Sequence, residues 1–310
     1  MDKISEQAVF VCDLGFSALK WKYGESKGRI VSAYTRQDRG IVLGEDALLG
    51  AGSSYIKTPD ELVRFYPPFV EQAARDARLS ADSELALVVG LPYGFWLNES
   101  AKDASQEVSA IEQLKQTLLR GPFWNVFVFP QGLGGVIGHL NNHGGNSGNV
   151  LGIDIGFNTV ISTLYSRKSE RIIYGETYYK RGVHQMAVKL LLPKIAHYIP
   201  GRSLTPVEIS YLMEKGYIQY GLDQIDLKPE IEQVSRVYME DTLADIIGDL
   251  RAHLGGAADF SEVVFFGGGA RLFKGISSHK VEITILADPE YANAIGFEKL
   301  ALNRLAKGEQ

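Results

Sequence analysis

The sequence is poor in cysteine, in excess positive charge and in long apolar runs, and each shortage excludes a class of protein. Cys12 is the only cysteine among 310 residues, so neither a disulfide framework nor a cysteine metal cluster is expected. The formal net charge is −5 and no segment interleaves basic with aromatic residues, so direct nucleic-acid binding is not expected. The longest apolar run, 85–97, is broken by Gly90, Pro92 and Gly94 and is too short to span a bilayer.

Two familiar sequence signals are also missing. Residues 1–7 are polar and lead directly into an apolar strand, unlike a signal peptide, so we expect a cytoplasmic protein with no membrane partner. No Gly-x-x-x-x-Gly-Lys-Ser/Thr motif is present, which excludes a Walker-type NTPase. Hydrophobic residues make up 45% and charged residues 22% of the chain, as is typical of globular proteins, and the length predicts about two domains.

One pattern occurs twice. Residues 9–20 read Val-Phe-Val-Cys-Asp13-Leu-Gly15-Phe16-Ser17-Ala-Leu-Lys20, and residues 150–161 read Val-Leu-Gly-Ile-Asp154-Ile-Gly156-Phe157-Asn158-Thr159-Val-Ile161. Each copy is an apolar run, an Asp-x-Gly-Phe turn and a second apolar run, which predicts a β-hairpin. We expect the glycine of each turn to adopt a positive φ and to let a ligand approach the backbone closely.

The two turns are predicted to bind phosphate together with a cation. Successive backbone N–H groups in such a turn form a concavity that favours anions. A carboxylate at the same place suits a cation, and Mg²⁺ is commonly held by one or two carboxylates plus substrate phosphates. Lys20 has Ile161 as its counterpart, so only the first hairpin carries a basic group. The alternative is two ordinary hairpins with Asp–Gly turns, but recurrence of Asp, Gly and Phe in register favours function.

Strands and helices alternate along the whole chain, which predicts an α/β fold. In the first half, Arg29–Tyr34 reads as a strand, and Thr58–Glu61 begins a helix that Pro67–Pro68 should interrupt. Further along come a buried parallel strand, an amphipathic helix and a second buried strand, over 85–92, 104–120 and 126–129. The polar, glycine-rich segment 141–149 predicts a boundary near residue 149.

The second half continues the alternation after its hairpin. We expect strands over 171–177, 262–266 and 281–286, and helices over 183–197, 229–254 and 291–305. The strand over 262–266 opens into Gly267-Gly-Gly-Ala270, a turn whose backbone could pack against a planar ring. A plain strand–helix turn is the equal alternative for this segment.

Gln131 follows the strand over 126–129 and is a candidate for orienting a water molecule, as a glutamine does in GTPases. Its alternative role is to cap the next helix. The glycines at 132, 134, 135 and 138 loosely resemble a dinucleotide-binding loop. Their spacing is wrong for one, so a Rossmann cofactor site is disfavoured.

Taken in order, these segments resemble the actin-like ATPase superfamily, with its two-lobed, ribonuclease H-like fold of duplicated domains around a nucleotide cleft. The five motifs of that superfamily match Asp13–Lys20, Pro130–Gly132, Asp154–Thr159, Val264–Ala270 and Tyr291–Phe297. Within it the chain is most similar to bacterial ParM (StbA) plasmid-segregation proteins. The resemblance implies domain I over 1–149, domain II over 150–290, and a C-terminal helix over 291–310 that packs back on domain I.

The resemblance also implies roles for individual residues. Asp13 and Asp154 would hold Mg²⁺ through water, and Gln131, with Asp154, would position the attacking water. The phosphates would be bound by Gly15, Phe16, Ser17, Lys20, Gly156, Phe157, Asn158 and Thr159. The adenosine would lie on Gly267, Gly268, Gly269 and Ala270 with Phe273 nearby, and Gly182 would lie close to the nucleotide. For the ribose, Glu208 and Glu214 are both candidates.

The implied function is ATP hydrolysis coupled to self-assembly into filaments, with ATP or ADP and Mg²⁺ bound, for plasmid or DNA segregation. DNA would be reached through an adaptor protein, which agrees with the acidic net charge. Two alternatives remain at this point: a small-molecule kinase of the same fold, and an actin-like scaffold without dynamic turnover.

Overall fold

The computed structural model of the chain describes residues 8–37, 40–48, 54–80, 84–103, 108–142, 148–201, 204, 206–220, 222–255, 259–276 and 283–309. Within these ranges the chain forms two lobes, each built on a five-stranded sheet, and two smaller sheets. Strands and helices alternate, which confirms the predicted α/β class. Within the same ranges, no helix has both the length and the apolar character needed to cross a membrane.

The first half holds eight strands and five helices among the described residues. The strands are β1 Val9–Leu14, β2 Ala18–Tyr23, β3 Ser26–Val31, β4 Ala33–Gln37, β5 Gly40–Leu43, β6 Ser54–Tyr55, β7 Leu85–Leu91 and β8 Phe123–Pro130. The helices are α1 Glu45–Leu48, α2 Pro59–Asp76, α3 Tyr93–Ser100, α4 Ala110–Leu118 and α5 Leu133–Asn142.

The second half adds seven strands and five helices in the described part of the chain. The strands are β9 Asn149–Ile155, β10 Thr159–Ser166, β11 Arg171–Tyr179, β12 Tyr217–Tyr220, β13 Asp223–Asp226, β14 Glu262–Phe266 and β15 Ile283–Ile285. The helices are α6 Val183–Met186, α7 Leu192–Ile195, α8 Pro206–Lys215, α9 Lys228–Leu254 and α10 Ala292–Ala306. A π-helical stretch, Ala187–Leu191, joins α6 to α7.

The two large sheets have the same topology. Their spatial orders are β3–β2–β1–β7–β8 and β11–β10–β9–β14–β15, so each has an antiparallel meander followed by two parallel strands. The parallel pairings join β1 to β7, β7 to β8, β9 to β14, and β14 to β15. Parallel strands end at a common edge of their sheet, so the turns after β1 and β9 lie beside the ends of β7 and β14.

Helices cover both faces of each sheet. In the first lobe, one face packs on α2 and α4, and the other face packs on α10, where Phe297 lies 5.7 Å from Phe129 between ring centroids. In the second lobe, one face packs on α9 and on the segment from α6 to α7. Its other face packs on α5 through Val136 and on the start of α10 through Ala292. The helix pair α5–α10 therefore contacts both sheets.

Helix α2 corrects the expectation that Pro67–Pro68 interrupt a helix, because it runs unbroken from Pro59 to Asp76. Its buried face spans both sides of the prolines and consists of Leu62, Phe65, Tyr66, Phe69, Val70 and Ala73. Each large apolar side chain contributes roughly 1.5–3 kcal/mol when it is fully buried, and an internal proline costs about 3 kcal/mol. The buried face outweighs the prolines, which lie on the partly exposed side of the helix.

Three other predicted boundaries shift. The strand predicted over 29–34 is divided at Ser32, which turns back to bond the first hairpin. The helix predicted over 104–120 is capped by Ser109, whose side chain accepts from the Glu112 N–H at 3.2 Å, while residues 104–107 lie outside the described ranges. The helix predicted over 183–197 contains the π-helical stretch. Residues 143–147 of the predicted boundary loop and residues 281 and 282 of a predicted strand also lie outside the described ranges.

Candidate nucleotide site between the two lobes

Residues 15–17, here called the first turn, connect β1 to β2. The Gly15 N–H donates to the Ala18 carbonyl at 3.0 Å, and the strands pair so that Asp13 lies opposite Lys20. Ser32 supports the turn from β3: its hydroxyl donates to the Gly15 carbonyl at 2.6 Å, and its N–H donates to the Ser17 carbonyl at 2.9 Å. This support was missing from the sequence analysis.

Residues 156–158, the second turn, repeat the geometry in the other lobe. The Gly156 N–H donates to the Thr159 carbonyl at 2.8 Å, the same bond in the same position. The start of α6 supports this turn, because the Val183 N–H donates to the Gly156 carbonyl at 3.1 Å and the His184 N–H donates to the Phe157 carbonyl at 2.9 Å. Gly182 permits the contact, since a Cβ there would lie 2.4 Å from the Phe157 carbonyl oxygen.

The two turn glycines correct one expectation. Neither Gly15 nor Gly156 has a positive φ, so a left-handed conformation is not the reason for glycine at either position. Both positions are instead tightly packed. A Cβ on Gly15 would lie 3.2 Å from the Lys20 Nζ, and a Cβ on Gly156 would lie 3.1 Å from the Thr159 carbonyl oxygen.

Asp13 and Asp154 lie inside the cleft, with 4% and 7% of their surface exposed. Each carboxylate accepts a hydrogen bond from a different side-chain amide. Gln131 Nε2 donates to Asp13 Oδ1 at 2.7 Å, and Asn293 Nδ2 donates to Asp154 Oδ2 at 2.7 Å. The cleft therefore contains two buried carboxylates, each oriented by an amide.

Tyr66 of α2 supports the position of Asp13. Its hydroxyl accepts from the N–H groups of Leu14 and Gly90, at 2.9 Å and 3.0 Å, where β1 and β7 separate beyond their last pairing. Gly90 leaves room for the carboxylate, because a Cβ there would lie 2.7 Å from Asp13 Oδ1. The position of this carboxylate thus depends on a helix and a neighbouring strand as well as on its own hairpin.

Burial is the main electrostatic influence on both carboxylates. It raises the pKa of Asp13, and Lys20 and the amides of Gln131 and Asn293 partly offset that rise. Burial together with the charge of Asp13 raises the pKa of Asp154 to about 6, against the smaller opposing effects of Asn293 and Lys20. Two buried like charges favour a bound cation, since the cation relieves both the desolvation and the repulsion.

The cleft encloses a cavity of about 590 Å³. Thirteen of the predicted site residues line it, namely Asp13, Gly15, Phe16, Ser17, Lys20, Gln131, Asp154, Gly156, Phe157, Thr159, Gly267, Gly268 and Gly269. The structure thus brings both turns, both carboxylates, the glutamine and the glycine loop of 267–269 to one space. A single ligand could contact both lobes there.

The glycine loop after β14 is close-packed at two positions and open at a third. Gly267 has a φ of +84°, and a Cβ on it would lie 2.2 Å from Asp154 Oδ1. A Cβ on Gly269 would lie 2.5 Å from a Val183 methyl carbon. Gly268 has no neighbouring atom within 4 Å of the Cβ position, so its backbone is accessible from the cavity.

Four predicted residues are not on the cavity wall: Asn158, Gly182, Ala270 and Phe273. Gly182 supports the second turn, as described above. Ala270 is fully buried, and so is Phe273, whose ring stacks on Tyr238 at 5.9 Å between centroids. Ala270 and Phe273 lie in the core of the second lobe beneath the glycine loop. Of the two ribose candidates, Glu214 lines the cavity and Glu208 does not.

Sequence reasoning missed Asn293 and a charged group at the edge of the cavity. Arg29 Nε lies 3.1 Å from Glu290 Oε1, and Arg271 pairs with the other oxygen of the same carboxylate. Arg29 lies directly opposite Lys20 in the pairing of β2 with β3. Hairpin register could have placed Arg29 beside Lys20, whereas no sequence signal pairs Glu290 or Asn293 with groups so far away in the chain.

Comparison with known proteins gives structural matches only. No protein-family model and no curated protein matches the chain. A ParM filament from Clostridium botulinum is 16% identical with a TM-score of 0.70, covering 95% of this chain and 99% of that one. The archaeal actin homolog Ta0583, in complex with ADP, is 18% identical with a TM-score of 0.68, covering 96% and 99%.

A double helical filament of MamK is 14% identical with a TM-score of 0.63, covering 94% of this chain and 98% of that one. These matches extend over nearly the whole of both chains in each case. They confirm the predicted fold class: the chain has the two-lobed, actin-like α/β fold. The predicted resemblance to ParM-type proteins is confirmed as a likeness of fold.

Proposed function

We propose that the chain is an actin-like ATPase that binds Mg-ATP between its lobes and assembles into nucleotide-dependent filaments. The observation that carries the proposal is the meeting of two equivalent turns, one from each lobe, at a single cavity that also contains Asp13 and Asp154. A site made equally by both lobes allows a ligand to hold the lobes together. An ADP-bound actin homolog of the same fold supports a nucleotide as that ligand.

The phosphates would be bound by the backbone N–H groups of the two turns and by Lys20. Anion binding by successive backbone N–H groups requires no side-chain charge, so the second turn can contribute although Ile161 stands where the first hairpin has Lys20. Lys20 adds charge-assisted bonds on one side only. Arg29, next to it across the sheet, contributes further positive potential at this wall of the cavity.

Mg²⁺ fits the carboxylates that are present. The described residues contain no group of three or more His, Cys, Asp or Glu side chains that could form an all-protein metal cage. Two buried carboxylates match the usual Mg²⁺ arrangement, in which water and substrate phosphates complete the coordination. Asp13 and Asp154 would hold the ion through water. The ion would neutralise charge on the phosphates and on both carboxylates.

Gln131 is suited to orienting the attacking water. Its Nε2 donates to Asp13 Oδ1 and, at 3.3 Å, to the Leu14 carbonyl, so the amide nitrogen faces β1. The side-chain carbonyl Oε1 therefore remains as an acceptor for a water proton in the cavity. Asp154 lies in the same cavity, and its carboxylate would accept the proton that the water loses.

The glycine loop would bind the adenosine. The open backbone at Gly268 permits a planar base to lie against it, and Met213 and Leu272 are apolar residues that also line the cavity. Glu214, which also lines the cavity, would bind a ribose hydroxyl. Ala270 and Phe273 would act indirectly, by keeping the loop in place from below.

Filament formation and segregation of DNA in the cytoplasm are the further parts of the proposal. Two of the matching structures are filaments, one of ParM and one of MamK, which supports self-association. The ParM likeness supports a role in plasmid or DNA segregation. A net charge of −5 gives no basic field for direct DNA contact, so an adaptor protein would link the filament to DNA.

Sedimentation is the experiment that tests this proposal. The full chain would be centrifuged at increasing concentration with Mg-ATP, with Mg-ADP and without nucleotide, and phosphate release would be followed in parallel. We expect pelleting that requires ATP and that Asp154→Ala abolishes. Asp76→Ala is the matched control, because Asp76 is an exposed carboxylate at the end of α2 that accepts from the nearby Gln72.

The possible outcomes separate the parts of the proposal. Pelleting that is the same with and without nucleotide, or absence of ATP binding, contradicts the nucleotide-dependent filament. ATP hydrolysis without pelleting at any concentration contradicts the filament alone. In that case phosphate transfer to added small molecules would be the next measurement.

A further inference from the structure

Asn293 is a buried amide that joins three parts of the cleft. It is 5% exposed and lies at the start of α10. Its Nδ2 donates to Asp154 Oδ2 at 2.7 Å. Its Oδ1 accepts from the backbone N–H groups of Gly132 and Gly135, at 3.2 Å and 3.3 Å, at the start of α5. One side chain therefore connects a site carboxylate to the helix pair α5–α10.

The backbone of Asn293 is held as firmly as its side chain. Helices α5 and α10 touch through glycines: a Cβ on Gly134 would lie 2.4 Å from the Asn293 carbonyl oxygen, and a Cβ on Gly296 would lie 1.8 Å from the Gly134 carbonyl oxygen. Further along α10, Phe297 packs on Phe129 of the first sheet. The amide thus has a fixed position relative to α5 and to the first lobe.

The Asp154 carboxylate is confined on its other side too. Its Oδ1 faces Gly267, where any side chain would collide with it. Asn293 donates to one carboxylate oxygen, and the Gly267 backbone lies beside the other. Together they restrict the orientation of the carboxylate. Asp13 differs, because the Gln131 amide, which donates to it at 2.7 Å, follows β8 in the same lobe, although the Asn293 amide also acts on it.

We propose that Asn293 is a positioning residue, which holds the Asp154 carboxylate in the orientation that supports the Mg²⁺–nucleotide and fixes that carboxylate to α5–α10. This inference rests on the proposed function, since it assigns a role within the same site. Amide partners of carboxylates that serve a metal are worth a 10–100-fold effect on metal affinity or activity in comparable sites, and an effect of about that size is expected here.

Asn293→Asp is the decisive variant, because it is isosteric. When it is ionised, it retains an oxygen to accept from Gly132 and Gly135, but it replaces the donor to Asp154 with a further negative charge. The measurement is the affinity for ATP with Mg²⁺ and with EDTA, together with the kcat and KM of phosphate release. Asn303→Asp, an exposed position on the same helix, is the matched control.

We expect Mg²⁺ to increase the ATP affinity of Asn293→Asp about 10–100-fold less than it increases that of the wild type, and kcat to fall by a similar factor. The ATP affinity measured in EDTA should change little. Asn293→Ala should lose a similar factor, and thermal unfolding will show whether both variants fold. If both Asn293→Asp and the uncharged Asn293→Ala retain the wild-type kcat and the wild-type increase in ATP affinity on adding Mg²⁺, the residue only holds α5 and the inference is wrong. If the wild-type chain binds no Mg-ATP, it is the proposed function that fails.

Discussion

The first and second turns have the same shape but are held in place by different means. Each is closed by one N–H bond to the residue three positions on, at 3.0 Å in the first and 2.8 Å in the second. The first turn is supported by Ser32 and has Lys20 beside its carboxylate. The second is supported by the start of α6 and has Ile161 in the lysine's place.

This difference shows how one duplicated hairpin can serve two purposes. The first lobe provides charge, since Lys20 and Arg29 lie side by side on its sheet. The second lobe provides fixed positions for its groups, since α6 holds its turn by hydrogen bonds and Asn293 orients its carboxylate. Burial raises the pKa of both carboxylates, and the charge of Asp13 helps to raise that of Asp154 to about 6, while Lys20 opposes the rise at both.

The largest expected effect comes from removing the charge of the second carboxylate. Asp154→Asn keeps the shape and an acceptor for Asn293, but it loses both the support for Mg²⁺ and the proton acceptor. We expect phosphate release to fall by about 10²–10³-fold. A single-turnover assay would measure this, with Asp76→Asn as the surface control. A variant that keeps more than a third of the wild-type rate would contradict the role of Asp154.

The next effect comes from making the first hairpin resemble the second. Lys20→Ile removes the charge-assisted bonds to phosphate, and bonds to charged groups contribute about 1.5–3 kcal/mol each. ATP affinity should therefore fall roughly 10–100-fold. AMP affinity should change less, because AMP has a single phosphate and so offers Lys20 fewer phosphate oxygens to bind. Titration calorimetry with both nucleotides would show this. Equal losses for ATP and AMP would mean that Lys20 does not bind the terminal phosphates.

A third prediction concerns stability without nucleotide or Mg²⁺. The pKa of Asp154 is about 6 in the folded chain against 3.8 for a free aspartate side chain, so the native state stays protonated to a higher pH than the unfolded state. Stability is therefore lost as pH rises from about 4 to 6, and the loss is complete above that window. Asp154→Asn should be more stable than wild type by about 3 kcal/mol at pH 7.5 and equal to it near pH 4. Urea unfolding in EDTA at both pH values tests this. If Asp154→Asn were more stable than the wild type by the same amount at both pH values, the charge of Asp154 would be ruled out as the cause.

The smallest effect concerns the supports of the turns. Ser32→Ala removes one hydroxyl bond to the first turn and should cost about 1 kcal/mol. Gly182→Ala, which forces a Cβ against the Phe157 carbonyl, should cost more, about 1–3 kcal/mol. Chemical denaturation of the two variants side by side would rank them. The reverse ranking would show that the second turn does not depend on close contact with α6.

The sequence predicted those features of the fold that depend on local pattern. Both hairpins, the parallel strands after them and the long helix α9 follow from alternation, from β-branched runs and from helical spacing. Local pattern did not predict that α2 is continuous, because its prolines are tolerated only where a buried apolar face continues past them. That face exists only once the sheet is present to pack against it.

The candidate site was predictable to a similar degree. The carboxylates, the turns, Gln131 and the glycine loop lie in local motifs and meet at the cavity. Ser32, Glu290 and Asn293 were not found as site residues, because their partners are distant in sequence. The bond from Asn293 to Asp154 spans 139 residues and depends on how two helices cross. Only the assembled fold brings such groups together.

One measurement tests most directly the claim that both lobes bind a single Mg-nucleotide. It is the equilibrium affinity of the full chain for ATP, with Mg²⁺ and with EDTA, in the wild type and in Asp154→Asn. We predict tight binding to the wild type with Mg²⁺, weaker binding in EDTA, and little effect of Mg²⁺ on the variant. ATP binding that is equally tight with and without Mg²⁺ in both proteins would contradict the account.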